Sequence, residues 1–371
     1  MLIQNAKAFM DGKFQEKTDL LIRDGRISAI GTGLAAEGEE TLDLGGDLLL
    51  PGFVDVHIHA FKGMDTMQGE EAVRHMSREL KKVGVAAFLP TTMSASPEDT
   101  VKALEGIKAV MDRPEPDGAI VLGAHMEAPF LAEAKAGAQL KQYFADPNEE
   151  NWQRYTGGLE SIVRLITMAP ERAGALDFIR ELTKKGITVS IGHTTADAET
   201  THAAAEAGAT HVTHTFNAQT PLNHRAPGVP GAALVDDRLQ CEVISDGIHL
   251  HPDIVKLIIR TKGGEKLVAI TDAMEAAGMP DGQYQLGGQD VFVHEGAARL
   301  KDGTLAGSTL TMVRAFQNLM RFGATPEEAA LMTTQTPALS IGNEELGEIE
   351  LGAPAIFSRF DENYAFKGTV G

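Results

Sequence analysis

Only one of the 371 residues is cysteine, Cys241. An intramolecular disulfide is therefore impossible, and so is a metal site built from clustered thiolates. A reducing cytoplasm is the compartment such a chain suits. Positive charge is also scarce. Lys and Arg total 33 against 52 Asp and Glu, a net charge of −19 with His neutral. A phosphate backbone or an anionic bilayer would be repelled, which argues against nucleic-acid and membrane partners. Long apolar runs are missing as well. No stretch reaches the roughly 18–20 residues of a membrane span. Met1 to Phe14 alternates in polarity instead of forming the apolar centre of a secretory leader.

What is present is ordinary for a globular chain, with 43% hydrophobic residues. The length is enough for two or three domains or for one α/β barrel with an addition. With thiolates excluded, any metal must be held by carboxylates and by some of the 12 histidines.

Residues 1–50 read as short strands. Leu2 to Phe9 turns at Asp11-Gly12, and Asp19–Arg23 and Arg26–Ile30 flank the hairpin signal Asp24-Gly25. From residue 53 the pattern changes to eight short apolar runs separated by amphipathic stretches. The runs are Phe53–His59, Ala86–Thr92, Ala119–Glu127, Ile162–Pro170, Thr188–Thr194, His211–Asn217, Cys241–Gly247 and Lys266–Met274. Several are almost continuously apolar, as strands buried on both faces should be. The stretches between them carry helical periodicity. Ala72, Val73, Met76, Leu80 and Val83 share one face, as do Ala175, Phe178, Ile179 and Leu182. Eight strand-then-helix units predict an α/β fold, a (β/α)8 TIM-like barrel over residues 51–344. A hairpin over Gln285 to Arg299 and helices over Thr311–Phe322 and Pro326–Thr334 follow. The tail is β-like again, so residues 1–50 and 345–371 are expected to form a small β-sandwich domain from both termini.

The polar residues that end the runs are the main clue. His57 and His59 end the first, and period-2 geometry puts both on one face. His125 and Glu127 end the third, His193 the fifth, His211 and His214 occupy the sixth, and Asp272 ends the eighth. In this fold the C-terminal strand ends form the active site. A lone strand-end His is more often a hydrogen-bonded loop residue, and Asp272 alone could be a helix cap. Convergence of five strands on one ring is what those bland readings leave unexplained. His75, His202 and His294 lie outside that ring and read as surface or structural. Imidazoles and one carboxylate suit a divalent ion with a position open to water. A free carboxylate such as Asp272 suits proton transfer in a hydrolysis.

These motifs resemble the metal-dependent amidohydrolases and, within them, the N-acetylglucosamine-6-phosphate deacetylase family. The resemblance rests on Pro51-Gly52-Phe53-Val54-Asp55-Val56-His57-Ile58-His59, His125-Met126-Glu127-Ala128-Pro129-Phe130, Gly192-His193-Thr194, Thr213-His214-Thr215-Phe216-Asn217-Ala218, Ser245-Asp246-Gly247-Ile248-His249, Thr271-Asp272-Ala273-Met274 and Leu305-Ala306-Gly307-Ser308. It implies Glu127, His193 and His214 as ligands of a main metal, and His57 and His59 as ligands of a second. One or two divalent ions, Zn²⁺ or Fe²⁺, follow. It implies Asp272 as general acid/base and His249 as the residue that holds the acetyl carbonyl. Asn217 and Ala218 belong on this reading to a phosphate site, completed by Arg225 from the neighbouring subunit of a homodimer, with His224 a bystander. The implied partner is a small amino-sugar phosphate. The sequence departs from the family at Ala60 and Ala128, where glycine is usual, at Gln219 in place of Met, and in the tail at Ala353 to Phe357. Three rivals remain: the galactosamine epimer as substrate, a cyclic-amide hydrolase, and a catalytically dead scaffold. The second usually needs a carboxylated Lys at the end of the fourth run, and Leu165 to Pro170 contains none.

Overall fold

In the computed structural model, which describes residues 1–35 and 37–371, eight parallel strands ring the centre of the chain. In chain order they are Phe53–Ile58, Val85–Thr92, Ala124–Met126, Val163–Met168, Thr188–Ile191, His211–Val212, Gln240–Ile244 and Leu267–Ile270. Each is hydrogen-bonded in parallel to its neighbour in sequence. A helix follows almost every strand and covers the outside, giving the expected (β/α)8 barrel. The anticipated helix faces point inward. Ala72, Val73, Met76 and Leu80 are buried in the helix Glu70–Lys81, and Ala175, Phe178, Ile179 and Leu182 in Ala175–Lys184. A single continuous hydrophobic core joins the strands to these faces.

The third strand comes in two pieces, because Ile120–Val121 pairs with the second strand ahead of Ala124–Met126. Gly123 makes the break possible. Its φ is +149°, and a Cβ there would sit 2.5 Å from the Ile162 carbonyl.

Closure of the ring between the eighth and first strands is made differently from the other joins. Asp55 in the first strand is fully buried, and the Thr271 hydroxyl donates to its Oδ2 at 2.5 Å. Just above, backbone bonds run from Asp272 N–H to the His57 carbonyl (2.8 Å) and from His59 and Ala60 N–H to the Ala273 carbonyl (3.0 Å each). Burial pushes the Asp55 carboxyl up to about 7, against the hydrogen bonds from Thr271 and the His57 backbone that hold it down.

Both ends of the chain meet in one seven-stranded sheet beside the barrel. Leu48–Pro51 pairs antiparallel with Phe357–Phe360, so Leu48 lies opposite Phe360. Its apolar residues, among them Ile3, Leu20, Leu49 and Phe357, form a core distinct from that of the barrel. The chain then passes straight from Pro51 into the first barrel strand at Phe53.

Two expectations need correction. The sixth run stops at Val212 instead of Asn217. Beyond it the backbone turns back on itself, with positive φ at His214 (28°), Phe216 (78°) and Ala218 (51°). The hairpin over Gln285 to Arg299 is a three-stranded sheet, Gly282–Leu286, Gln289–His294 and Ala297–Arg299, packed on Met93 and Met274 through its own small core.

The seam carries the first prediction. Thr271→Val keeps the volume but removes the donor to a buried carboxyl. It should destabilise the fold by about 1–3 kcal/mol, the usual result of leaving a buried polar group unsatisfied. Denaturant unfolding with an unchanged m-value would show it, and an unaltered midpoint would show the seam to be dispensable.

Candidate metal centre and active site

The C-terminal ends of five strands deliver six side chains to one point. His57 and His59 come from the first, Glu127 follows the third, His193 the fifth, His214 the sixth and Asp272 the eighth. Local backbone features make this possible. Gly192 brings the fifth strand so close to its neighbours that a Cβ would lie 2.6 Å from Thr213 Cβ and 2.7 Å from Thr167 Cγ2. His193, His214 and Asp272 then adopt φ of 46°, 28° and 49°. Left-handed backbone at non-glycine residues costs of order 1–3 kcal/mol each and gathers at functional sites. For Asp272 the surrounding structure enforces it. The Ser308 N–H donates to the Asp272 carbonyl (2.7 Å), and Met274 N–H donates to the Ser308 carbonyl (2.9 Å). Gly307, at φ +63°, fits against them, where a Cβ would sit 3.1 Å from that Asp272 carbonyl.

The ligand atoms form two triplets that share one carboxylate: His57, His59 and Glu127, and Glu127, His193 and His214. Glu127 Oε1 is 3.2 Å from His193 Nε2 and 3.1 Å from His214 Nε2, and Oε2 is 3.1 Å from His59 Nε2. The two rings His193 and His214 bring their Nε2 atoms to 3.1 Å, and His57 and His59 to 3.4 Å. An ion bound at about 2.0–2.1 Å would hold neighbouring tetrahedral ligands roughly 3.3 Å apart. The observed spacings fit that edge. Imidazole nitrogens aimed at each other in this way are otherwise poorly paired.

The rings are also oriented from behind, as metal-binding imidazoles usually are. His57 Nδ1 faces Glu242 Oε2 (3.1 Å), His59 Nδ1 the Thr91 carbonyl (3.2 Å), and His193 Nδ1 the Lys135 carbonyl (2.8 Å). The charges respond to one another. Burial pushes His57 and His59 down, but Glu127 and Asp272 overcome it: His57 rises well above its ordinary value and His59 to about 9. Burial would raise Glu127, yet the imidazoles hold it well below the usual carboxylate range. Asp272 is lowered likewise, by His57 and His59 against its burial. The cluster therefore demands positive charge.

The remaining expected residues divide. His125 is not among the converging ligands. It packs edge-on against His57 with ring centres 4.5 Å apart, and its Nε2 faces Thr167 Oγ1 at 2.8 Å. Burial and the neighbouring His57 keep it well below its ordinary value, so it stays neutral. His211 is also fully buried, and burial pushes it down to about 4. His249, Asn217 and Ala218 line a cavity of about 300 Å³ whose floor is the Glu127 cluster and Asp272. Asp246 Oδ2 holds His249 Nδ1 at 2.7 Å. Arg225 does not line this cavity; it lies in the exposed loop 221–227.

Three contributors escaped the sequence reading. Gln139 donates to Glu127 Oε2 at 2.6 Å, Lys135 lines the cavity wall, and Glu242 backs His57. Glu242 alone left a signal, an acid inside the apolar run Cys241–Ile244. The departures from the family resolve simply. Ala60 and Ala128 are not among the positive-φ residues, so a Cβ brings no backbone strain there. Gln219 turns away from the cavity. It accepts from the Phe216 N–H (3.0 Å) and donates to the Thr213 carbonyl (2.8 Å), bracing the turn that carries His214.

With this geometry in view, comparison with known proteins is direct. The model of the amidohydrolase family matches residues 48–368. The chain belongs to the amidohydrolase family. An N-acetylglucosamine-6-phosphate deacetylase of Lysinibacillus sphaericus is 36% identical over 375 residues, spanning 100% of this amidohydrolase and 96% of the relative. An N-acetylgalactosamine-6-phosphate deacetylase of Escherichia coli O157:H7 is 37% identical over 343 residues, covering 91% and 88%. Among solved structures, a mutant N-acetyl-D-glucosamine-6-phosphate deacetylase of Mycobacterium smegmatis in complex with N-acetyl-D-glucosamine-6-phosphate superposes with a TM-score of 0.92 at 32% identity. That match covers 100% of this chain and 97% of the other.

Because Glu127 belongs to both triplets, Glu127→Ala should cost more bound metal than any single His substitution. Metal equivalents per chain after desalting, measured by elemental analysis, test this. Full metal retention would remove the triplets as ligands.

Proposed function

We propose that this amidohydrolase hydrolyses the N-acetyl amide of N-acetylglucosamine 6-phosphate, giving acetate and glucosamine 6-phosphate. The observation that carries the reading is a cavity sized for a sugar phosphate whose floor combines the Glu127 cluster with Asp272. Full-length likeness to deacetylases supports the same substrate class.

Glu127, His193 and His214 would hold one ion, and His57, His59 and Glu127 a second, with Zn²⁺ or Fe²⁺ suited to this imidazole-rich set. When bound, a divalent ion supplies Lewis acidity, polarising the scissile carbonyl and making water a stronger acid. Asp272 does the proton work. Its Oδ1 lies 3.2 Å from His59 Nε2 and 3.5 Å from His57 Nε2, and its carboxyl faces the cavity. Held ionised by those rings, it takes the proton of the attacking water and returns it to the departing amine. His249, fixed by Asp246, presents its other ring nitrogen to the acetyl carbonyl.

An anionic substrate needs local positive charge in a chain of net −19. Lys135 in the wall supplies some. The Ala218 N–H lines the same wall and makes no hydrogen bond among the described residues, which leaves it free for a phosphate oxygen. Arg225, exposed and away from its own cavity, would complete the phosphate site of a second copy, which makes a homodimer part of this reading. Its planar guanidinium suits bidentate phosphate contact. The lone Cys241, buried and with its thiol pushed up to about 11 by that burial, accords with a reducing cytoplasm.

The galactosamine epimer is the second reading, favoured by the 37% identity to an enzyme named for it. A cyclic-amide hydrolase lacks its bridging Lys, because Val163–Met168 ends in Ala169-Pro170 while Glu127 occupies the shared position. A dead scaffold would not retain every ligand and the Asp272 carboxylate.

Acetate release from a panel of N-acetylated sugars, with and without a 6-phosphate, tests the assignment in defined metals. Asp272→Asn should lower kcat by at least about 10²-fold while metal content and melting temperature hold; unchanged turnover would reduce Asp272 to a structural cap. Arg225→Ala should raise KM for the phosphorylated sugar far more than for the plain sugar. Equal effects on both would exclude a phosphate role.

A further inference from the structure

Glu242 is an acid in the middle of the seventh strand, between the apolar Cys241 and Val243, and it is fully buried. One carboxylate oxygen, Oε2, meets His57 Nδ1 at 3.1 Å and accepts the His214 backbone N–H at 3.2 Å. The other, Oε1, has no partner among the described residues. Burying a carboxylate with half its acceptor capacity unused is unfavourable unless positive charge compensates it.

His57 is also where three buried carboxylates meet. Its Nε2 is 3.4 Å from Glu127 Oε1 and 3.5 Å from Asp272 Oδ1, and its Nδ1 faces Glu242. Three negative charges around one imidazole exceed the +2 of a single divalent ion and stay below the +4 of two. Glu242 reaches the second triplet only through the backbone of His214, whereas it grips the His57 ring directly. An imidazole whose Nδ1–H donates a hydrogen bond to a carboxylate has its Nε2 fixed as the free lone pair and made more basic.

We infer that Glu242 is a positioning residue which commits this centre to two ions, by orienting His57 and supplying the negative charge that the ion held with His59 requires. It acts on the His57–His59 half of the centre and leaves the Glu127–His193–His214 half largely intact. A site without this acid would keep its first ion and hold the second weakly.

The inference rests on the two-ion reading of the centre, and the test separates the two. Metal-stripped protein is titrated with Zn²⁺ against a chelating indicator, and bound equivalents are counted by elemental analysis. Wild-type protein should take two ions. Glu242→Gln, which keeps the shape and removes the charge, should bind the first within a few-fold of wild type and the second about 10–100-fold more weakly. Glu242→Asp, which keeps the charge but withdraws it by one methylene, should fall between, and serves as the informative variant if the Gln form does not fold. Melting of the metal-free proteins checks the fold. Two ions bound with unchanged affinities in both variants would overturn the role of Glu242, and so would equal weakening of both ions. A single ion in wild-type protein would instead overturn the two-ion reading itself.

Discussion

The Glu127 carboxylate is the constraint around which the rest of this molecule is arranged. It is buried, and it is within hydrogen-bond or ion-pair distance of four imidazoles drawn from three separate strands. An isolated carboxylate there would be untenable, and so would four isolated imidazoles brought nitrogen to nitrogen. Each makes the other possible, and together they call for cations. Every local irregularity near the strand ends serves that convergence. Gly192 permits close approach of the fifth strand, the sixth strand stops early so that His214 can turn inward, and the Gly307-Ser308 strap holds Asp272 in a left-handed turn. The strain is tolerated because the packed barrel below over-determines the backbone.

What the sequence made legible was residue type against strand position. His57, His59, Glu127, His193, His214 and Asp272 could be picked out because polar groups stand at the ends of apolar runs, where a barrel places its chemistry. The same logic could not separate His125 from Glu127, two residues apart at the end of one apolar run. Only the third dimension shows that His125 meets Thr167 across the barrel interior while Glu127 reaches the mouth. Nor could it reveal Gln139 or Lys135. They lie on a loop whose path depends on packing, with no periodicity to read. The early end of the sixth strand was hidden for a related reason. His211 to Asn217 has strand-like composition, and the turn is imposed by tertiary bonds such as those of Gln219. Conversely, the sharing of one sheet by both chain ends was readable, because strand character at 1–50 and again in the tail has no other partner nearby.

Electrostatics gives the acidic composition a different meaning once the site is known. A net charge of −19 sets a repulsive background for an anionic ligand, so binding must be local and short-range. The means on view are a lysine in the wall and a backbone N–H at Ala218 with no hydrogen bond among the described residues, beside a cluster of imidazoles and carboxylates that could hold a cation. Such a design favours discrimination: an anion that cannot reach all of these features meets only repulsion.

The seam between the first and eighth strands shows how closely fold and chemistry are joined. Elsewhere around the ring, backbone ladders close the strands. Here closure falls to the Asp55–Thr271 contact and to a few backbone bonds, from Asp272 N–H to the His57 carbonyl and from His59 and Ala60 N–H to the Ala273 carbonyl. Those residues immediately precede, or are, the ones that carry the chemistry. A regular ladder at this join would fix the two strands in full register. It would also hold Asp272 in extended backbone instead of the left-handed turn, at φ 49°, that it adopts beside His57 and His59. Replacing the ladder by a buried side-chain bond and a few backbone bonds past the strand ends lets Asp272 take a left-handed backbone, so that His57, His59 and Asp272 meet. The contacts that join the two strands thus lie next to the His57–His59–Asp272 cluster, and the Asp272 N–H that bonds to the His57 carbonyl is among those that close the barrel.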